Sequence, residues 1–481
     1  MITASLLKKY DRPVPRYTSY PTVPQWEPEI SVEKWETNFS EQFSIENSQN
    51  GIALYIHLPF CESLCTYCGC NKKITSNHKV EGEYIEAILK EWTLYLRLMK
   101  EKPVLRELHL GGGTPTFFSP ENLEKLLLPI LNSCTLADDH AFSFEGHPNN
   151  TTYDHLKTLY DLGFRRVSFG VQDNDPIVQQ IINRIQPFYK VQEVTEIARE
   201  IGYTSVNYDL IYGLPRQTTE SMERTLKQVL SLKPDRVAFY SYAHVPWTSR
   251  GQRLFDENDL PSAELKMELY RLGKFQFAMH GYQDIGMDHF ALPTDELYLA
   301  RWREAGKTGE WKMEEGEGKR EAGYGRREEP KLHRNFMGYT TQSSKLLIGL
   351  GVSSISDTGN AYAQNNKTIR EYYELINQGK LAITKGYFLD EEDLSFKQYI
   401  LDISCKGKTN FKKADLPMLQ QFSFPVLEEL AADGLLTWNE EGLSLSCKGH
   451  HFIRIVCSAF DLFIQRKRQE GEESIRYSKA I

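Results

Sequence analysis

Residues 55–72 read YIHLPFCESLCTYCGCNK. A short apolar run closes on a proline, and Cys61, Cys65, Cys68 and Cys70 then fall within ten residues of a chain that has eight cysteines in all. The run predicts a strand over residues 53–60, with the cysteines in a loop at its C-terminal end. A disulfide framework does not suit eight cysteines spread through 481 residues. A structural zinc site pairs two short cysteine units or adds histidines farther along the chain. No second pair follows here, although His57 and His78 flank the loop and keep a mixed zinc site as an alternative. The C-x₃-C-x₂-C spacing suits an iron–sulfur cluster better. Three thiolates facing inward from one loop hold three irons of a four-iron cube and leave the fourth open to a small molecule. Cys70 falls outside that three-ligand logic.

Outward from this loop, β-rich runs recur: ALYIHLPF (53–60), LRELHLGGGTPT (105–116), AFSFEGHP (141–148), RRVSFGVQD (165–173), SVNYDLIYGLP (205–215) and DRVAFYSYAHVP (235–246). Helical patterns such as EYIEAILKEWTLYLRLMK lie between them, and this alternation predicts a parallel sheet. Six units predict an α/β fold with a partial (β/α)6 barrel, because eight would close one. Glycines and polar residues gather at the C-terminal strand ends, the rim on which such barrels place active sites. GGGTPT (111–116) lets backbone approach a ligand and offers N–H groups to a carboxylate, or is a tight strand-to-helix turn. Glu145 can accept from an ammonium group or a ribose hydroxyl, and Arg184 can grip a carboxylate with two hydrogen bonds. Asp209 can bridge two hydroxyls, and Gln172 ends the fourth strand. Each of these, taken singly, also reads as a solvated rim residue.

The bulk composition is that of an ordinary globular protein, 40% hydrophobic and 25% charged, with a formal net charge of −8. That charge makes no electrostatic case for a nucleic acid or an anionic membrane as partner. The N-terminal MITASLLKKYDRPVPRY has no apolar run of signal-peptide length, and no segment approaches the roughly 20 apolar residues of a spanning helix. A cytoplasmic protein is expected, with its thiols reduced. Residues 303–331 are charged and glycine-rich without periodicity and read as an insert. From about residue 367 the pattern turns to helices with a late strand pair in GLLTWNEEGLSLSCKG (434–449), as in a winged-helix module. Winged helices often bind DNA, a reading that the acidic balance opposes. The expected organisation is an N-terminal arm (1–50), a barrel (51–366) and a mainly helical, winged-helix-like cover (367–481).

The three-cysteine spacing, with Tyr67 before the last thiol, resembles the signature of the radical S-adenosylmethionine superfamily. Further motifs narrow the likeness: PRYTSYPT (15–22), CGCNK (68–72), HLGGGTPT (109–116), GVQD (170–173), DLIYGLP (209–215), IGMDHFA (285–291), LHRNF (332–336), GYTTQ (338–342) and GVSSIS (351–356). In this order they resemble the oxygen-independent coproporphyrinogen III oxidases, and CKGHHFIRIVCSAFD (447–461) extends the likeness toward the C-terminus. Related haem chaperones generally lack PRYTSYPT and carry an aromatic residue where Cys70 stands. Radical chemistry on another tetrapyrrole, such as haem opening, and haem transfer without catalysis are the rival readings.

The resemblance implies one [4Fe-4S] cluster on Cys61, Cys65 and Cys68 and two S-adenosylmethionine molecules. It implies Tyr55, Tyr67, Gly112, Glu145, Ala243 and Ile355 around the cluster-bound molecule, and Gly113, Thr114, Gln172, Arg184 and Asp209 around the second. It further implies coproporphyrinogen III as substrate, with two propionates oxidatively decarboxylated to vinyl groups to give protoporphyrinogen IX. A low-potential electron donor of flavodoxin or ferredoxin type would be the partner, and a monomer is expected. Tyr55 and His57 are the candidate catalytic residues; they are expected on opposite faces of the first strand, so that one faces the reaction space. Arg16, Tyr17 and Tyr20 are candidate donors to propionates. The chain departs from the family pattern at Met337 (HRNFMGY for HRNFQGY), at Ile185 (NRIQ for NREQ), and at Gly146 and His147.

Overall fold

The computed structural model describes residues 3–247, 249–304, 332–342, 344–471 and 477–478. The charged insert expected at 303–331 lies, from residue 305 on, outside the described residues.

Six strands pair side by side in parallel: β1 (Ile52–Leu58), β2 (Val104–Gly112), β3 (Thr135–Gly146), β4 (Phe164–Gln172), β5 (Ser205–Tyr212) and β6 (Arg236–Ser241). Helices make the crossovers: α2 (Val80–Leu98), α3 (Pro120–Ser133), α4 (Tyr153–Asp161), α5 (Pro176–Ile181) with α6 (Phe188–Ile201), and α7 (Thr219–Ser231). Their starts are written locally. Ser119, Thr152 and Thr218 each accept an N–H from the first turn of the helix that follows, and the last two form capping boxes. In β1 every side chain except Tyr55 is buried, as in a strand covered on both faces.

The sheet does not close at six. Leu347–Leu350 (β9) joins the other edge of β1 as a seventh parallel strand. Beyond it run β10 (Ile355–Asp357), β11 (Ala361–Asn365) and β12 (Ile383–Phe388), antiparallel in succession. Past β6 the sheet continues through β8 (His289–Ala291) to β7 (Gln283–Gly286). With Glu27–Pro28 paired to β12 at the far edge, the described residues form an open sheet of 13 strands whose middle is the expected partial barrel. Buried Glu91 in α2 ties the added strand to the rest, accepting from Gly351 N at 2.7 Å and Asn365 Nδ2 at 2.6 Å.

Val32–Gln49 (α1) packs Trp35, Phe39 and Phe43 into the main core. The first twenty residues go elsewhere. Tyr10, Val14, Tyr17 and Tyr20 enter a second apolar cluster with Phe396, Tyr399, Leu427, Phe452 and Phe460 of the C-terminal region. That region contains helices Glu391–Lys406 and Phe424–Ala432 and a small antiparallel sheet, β13 (Lys408–Asn410), β14 (Leu436–Asn439) and β15 (Gly442–Leu445). The hairpin expected at 434–449 is therefore present, with a third strand beside it. No described helix is long and apolar enough to cross a membrane.

Candidate active site

The cysteine loop leaves β1 at Leu58 and is fastened on several sides. Phe60–Cys61 pairs with Lys73–Ile74, closing the loop on itself. Thr66 N donates to Ile182 O at 3.0 Å and its hydroxyl to Ile181 O at 3.2 Å, which tie the loop to the end of α5. Gln252 Nε2 donates to Tyr67 O at 3.0 Å and Ala243 O at 3.2 Å, a second tie from the segment after β6.

Gly112 and Gly113 let the neighbouring turn approach this loop. A Cβ on Gly112, whose φ is +112°, would stand 2.7 Å from the His57 ring; one on Gly113 would stand 2.5 Å from the Pro59 carbonyl. The His57 ring is in turn fixed from both ends. Its Nε2 faces the Asn71 carbonyl at 2.9 Å, which can only accept, so this nitrogen carries the proton. Its Nδ1 then accepts from the Tyr55 hydroxyl at 3.1 Å. Burial lowers the pKa of His57 and favours that neutral form. The expectation that Tyr55 and His57 occupy opposite faces is thereby corrected: residues two apart in a pleated strand share a face, and these two touch.

The cavity above this floor measures about 310 Å³. Its walls include Cys61, Cys65, Cys68, Tyr67, Gly112, Gly113, Thr114, Glu145, Gln172, Arg184 and Asp209. Tyr55, His57, Ala243 and Ile355 are not among the residues lining it. Ala243 is joined to Tyr67 through Gln252, and Ile355, at the start of β10, pairs with Gln364 of β11.

Around the thiols, Thr114 donates its hydroxyl to Cys61 Sγ at 3.3 Å, and Arg184 donates Nη1 to Cys65 Sγ at 3.6 Å. Burial pushes the Cys61 thiol up to about 11. The Cys68 thiol goes the other way, to about 6, through a hydrogen bond from the Cys70 thiol and the Lys72 ammonium nearby. Asp209 is pushed up to about 6 by burial and then by the Glu145 charge, although Ser168 Oγ and Asn207 Nδ2 each donate to it at 3.0 Å. Glu145 accepts from Gly112 N at 3.3 Å. Burial and Arg184 hold His147 neutral, near 2. Of these neighbours, Thr114 was expected for cofactor binding, but its bond to Cys61 was not. Ser168 and Tyr240, also in the lining, carry no motif that would have singled them out.

The residues present fit an iron–sulfur cluster with a bound amino-acid cofactor. Three half-buried thiols face one space, and among the described residues no three His, Cys, Asp or Glu side chains converge as a single metal ion requires. A four-iron cube spreads its thiolates farther apart. Arg184 Nε is buried with no hydrogen-bond partner, a donor left for a ligand carboxylate.

Residues 55–229 match the family model described as the radical SAM superfamily. The chain is 35% identical to the oxygen-independent coproporphyrinogen III oxidase of Pseudomonas aeruginosa over 99% of this chain and 98% of the relative. It is 37% identical to the enzyme of that name from Helicobacter pylori, over 95% and 96%. The solved coproporphyrinogen III oxidase of Escherichia coli, described as a radical SAM enzyme, superposes with a TM-score of 0.83 at 33% identity, covering 96% of this chain and 99% of that one. Likeness of this extent reaches the barrel, the arm and the C-terminal region together, and the chain belongs to the oxygen-independent coproporphyrinogen III oxidases of the radical SAM superfamily.

Proposed function

We propose that this chain removes the carboxyl groups of two propionates of coproporphyrinogen III without oxygen, leaving vinyl groups and giving protoporphyrinogen IX. The observation that carries the reading is the thiol cavity: three cysteines, a glycine turn, two acids and an arginine on one barrel rim, in a chain related to these oxidases along its length. The superfamily implies a [4Fe-4S] cluster and S-adenosylmethionine. Cys61, Cys65 and Cys68 hold the cluster in this reading, with Cys70 a neighbour. When bound and reduced, that pair would supply the radical chemistry that takes a hydrogen atom from a propionate β-carbon. The substrate would then lose carbon dioxide and pass one electron to an external one-electron acceptor, leaving the vinyl group.

The protein's part is to hold and to exclude. Tyr67, Gly112 and Glu145, with Ala243 and Ile355 farther out, attend the cluster-bound cofactor. Gly113, Thr114, Gln172, Arg184 and Asp209 attend a second molecule, and a two-molecule site belongs to this reading. Tyr55 and His57 act through Gly112, whose turn their hydrogen-bonded pair supports. Of the candidate propionate donors, Tyr17 is occupied, donating to Asp461 at 3.1 Å, and Tyr20 is buried, its hydroxyl accepting from Leu462 N at 3.2 Å. A flavodoxin- or ferredoxin-type protein supplies electrons to a cytoplasmic monomer that needs neither nucleic acid nor membrane.

The test is anaerobic. Protein loaded with iron and sulfide receives S-adenosylmethionine, a reductant and coproporphyrinogen III, and 5′-deoxyadenosine and porphyrin mass are followed. A product lighter by two carboxyl groups is expected. Deoxyadenosine without that product moves the substrate to another tetrapyrrole, and neither product from a well-formed cluster returns the haem-transfer reading.

A further inference from the structure

A second cavity adjoins the first, and its walls come from four distant segments. Arg16 of the N-terminal arm, Asp288 of the turn between β7 and β8, Arg334 of the strand His333–Asn335 and Arg454 of the helix Ile453–Ser458 face a space of about 80 Å³. Tyr240, near the C-terminal end of β6, lines both this space and the thiol cavity, so the two meet at this residue.

Three guanidiniums around so small a space repel one another and have lost much of their hydration, a costly arrangement unless an anion completes it. The hydrogen-bond partners of Arg16 and Arg334 are neutral. Arg16 Nη2 donates to Ser241 O at 2.8 Å, and Arg454 donates to Val14 O at 2.5 Å and Pro15 O at 3.2 Å. Arg334 Nη1 meets the thioether of Met287, a weak acceptor, and its Nε is buried with no partner. Among the described residues neither Arg16 nor Arg334 forms an ion pair with a carboxylate. Two acids line the space. Asp284 is engaged by Lys274 at 2.8 Å, which leaves Asp288 opposite the three arginines. His450 and His451, also in the lining, have lowered pKa values because of burial, which favours their neutral forms. The crowding of cations shows at Arg454, pushed down to about 10 by burial and then by Arg16.

We propose that this cavity is a carboxylate subsite, in which Arg16, Arg334 and Arg454 take one propionate of the tetrapyrrole while another propionate of the same molecule stands across Tyr240 in the thiol cavity. The proposal rests on the substrate reading above. The three guanidiniums in its lining suit the charged end of a propionate side chain. Arginine suits the task because its planar fork matches a carboxylate in two hydrogen bonds. The subsite also gives the N-terminal arm a part in the reaction, since Arg16 reaches the barrel rim from a segment that Tyr10 and Tyr17 anchor in the C-terminal cluster.

The experiment uses full-length, cluster-loaded protein and two probes, coproporphyrin III and its tetramethyl ester, with binding read by fluorescence under anaerobic conditions. Arg16→Gln and Arg334→Gln, on separate elements, are each expected to weaken coproporphyrin III binding at least tenfold and to raise KM for coproporphyrinogen III. Cluster absorbance and binding of the ester should stay at wild-type values. Asp288→Asn is expected to tighten coproporphyrin III binding, because it removes the competing negative charge, and asparagine tolerates the φ of +74° there. A structural role would make all three variants bind worse. Unchanged affinity in both arginine variants, or weaker binding in Asp288→Asn, overturns the subsite while wild-type decarboxylation leaves the function standing. Wild-type protein that neither binds coproporphyrin III nor decarboxylates coproporphyrinogen III overturns both.

Discussion

The thiol cavity and the arginine cavity share the ring of Tyr240 and are built in opposite ways. The walls of the first come largely from loops that directly follow strands of the parallel sheet. Residues 61–72, 111–116 and 145–147 each form a short motif, and the (β/α) repeat brings them to one rim. The second is assembled from residues 16, 288, 334 and 454, no two of which lie in one motif. A site's legibility in sequence thus follows the separation of its parts along the chain. It also follows that the first cavity should survive damage to the arm and the second should not.

The largest effect is expected at the thiols. Cys65→Ala removes one of the three thiols proposed to hold the cluster, and the cluster's visible absorbance and all decarboxylation should be lost together, with the far-ultraviolet spectrum of the fold retained. A variant that keeps the absorbance and turns over coproporphyrinogen III would break the local reading of this cavity.

Next comes the glycine turn. Gly112→Ala forces a side chain into a left-handed backbone and against the His57 ring, and should destabilise the protein by about 2 to 3 kcal/mol in chemical denaturation. The clash is specific, so His57→Ala combined with Gly112→Ala should cost less than the sum of the two single changes. Strict additivity would mean that His57 and Gly112 do not support one another.

Asp209→Asn separates stability from binding within one side chain. Burial raises the carboxyl to about 6, above its ordinary value near 3.9, so the folded state holds a proton that the unfolded state has lost. Stability on this account falls as pH rises from about 4 to 6 and stays lower above. Asparagine removes the penalty, and the cofactor-free variant should gain on the order of 1 kcal/mol at pH 7 and nothing at pH 4. Affinity for S-adenosylmethionine should fall about tenfold, which corresponds to about 1.4 kcal/mol. Unchanged affinity would remove Asp209 from the cofactor's contacts.

The comparison also explains what could and could not be read from the chain. β-rich runs ending in glycine or a polar residue disclose all six core strands and their rim, since each signal is local. The seventh parallel strand escaped because Leu347–Leu350 is only four residues long and is followed by a turn, with no helix of its own before the sheet resumes. Tyr55 and His57 share a face, as the strand's own period requires, and the bond between them corrects the expectation of opposite faces. Arg16 was legible as a donor, but its neighbours Arg334 and Arg454 were not, because only the docking of the arm and the C-terminal helices brings them within reach of one space.

The smallest effect concerns that docking. Tyr17 donates to Asp461 at 3.1 Å, and Asp461 in turn accepts from Ile464 N at 3.2 Å to cap the helix Leu462–Glu470. Burial raises the Asp461 carboxyl to about 6, and the Tyr17 hydroxyl pulls it down from where burial alone would set it. Tyr17→Phe should therefore destabilise the protein by about 1 kcal/mol at pH 8, where Asp461 is ionised and uses the hydroxyl fully. At pH 5 the carboxyl is protonated in the folded state and the same substitution should cost less. If the arm positions Arg16 through this anchor, KM for coproporphyrinogen III should rise two- to threefold while cluster absorbance and S-adenosylmethionine affinity hold. A shift in cofactor affinity instead would mean that the two cavities are coupled through the arm, and the contrast between a locally built site and an assembled one would no longer stand.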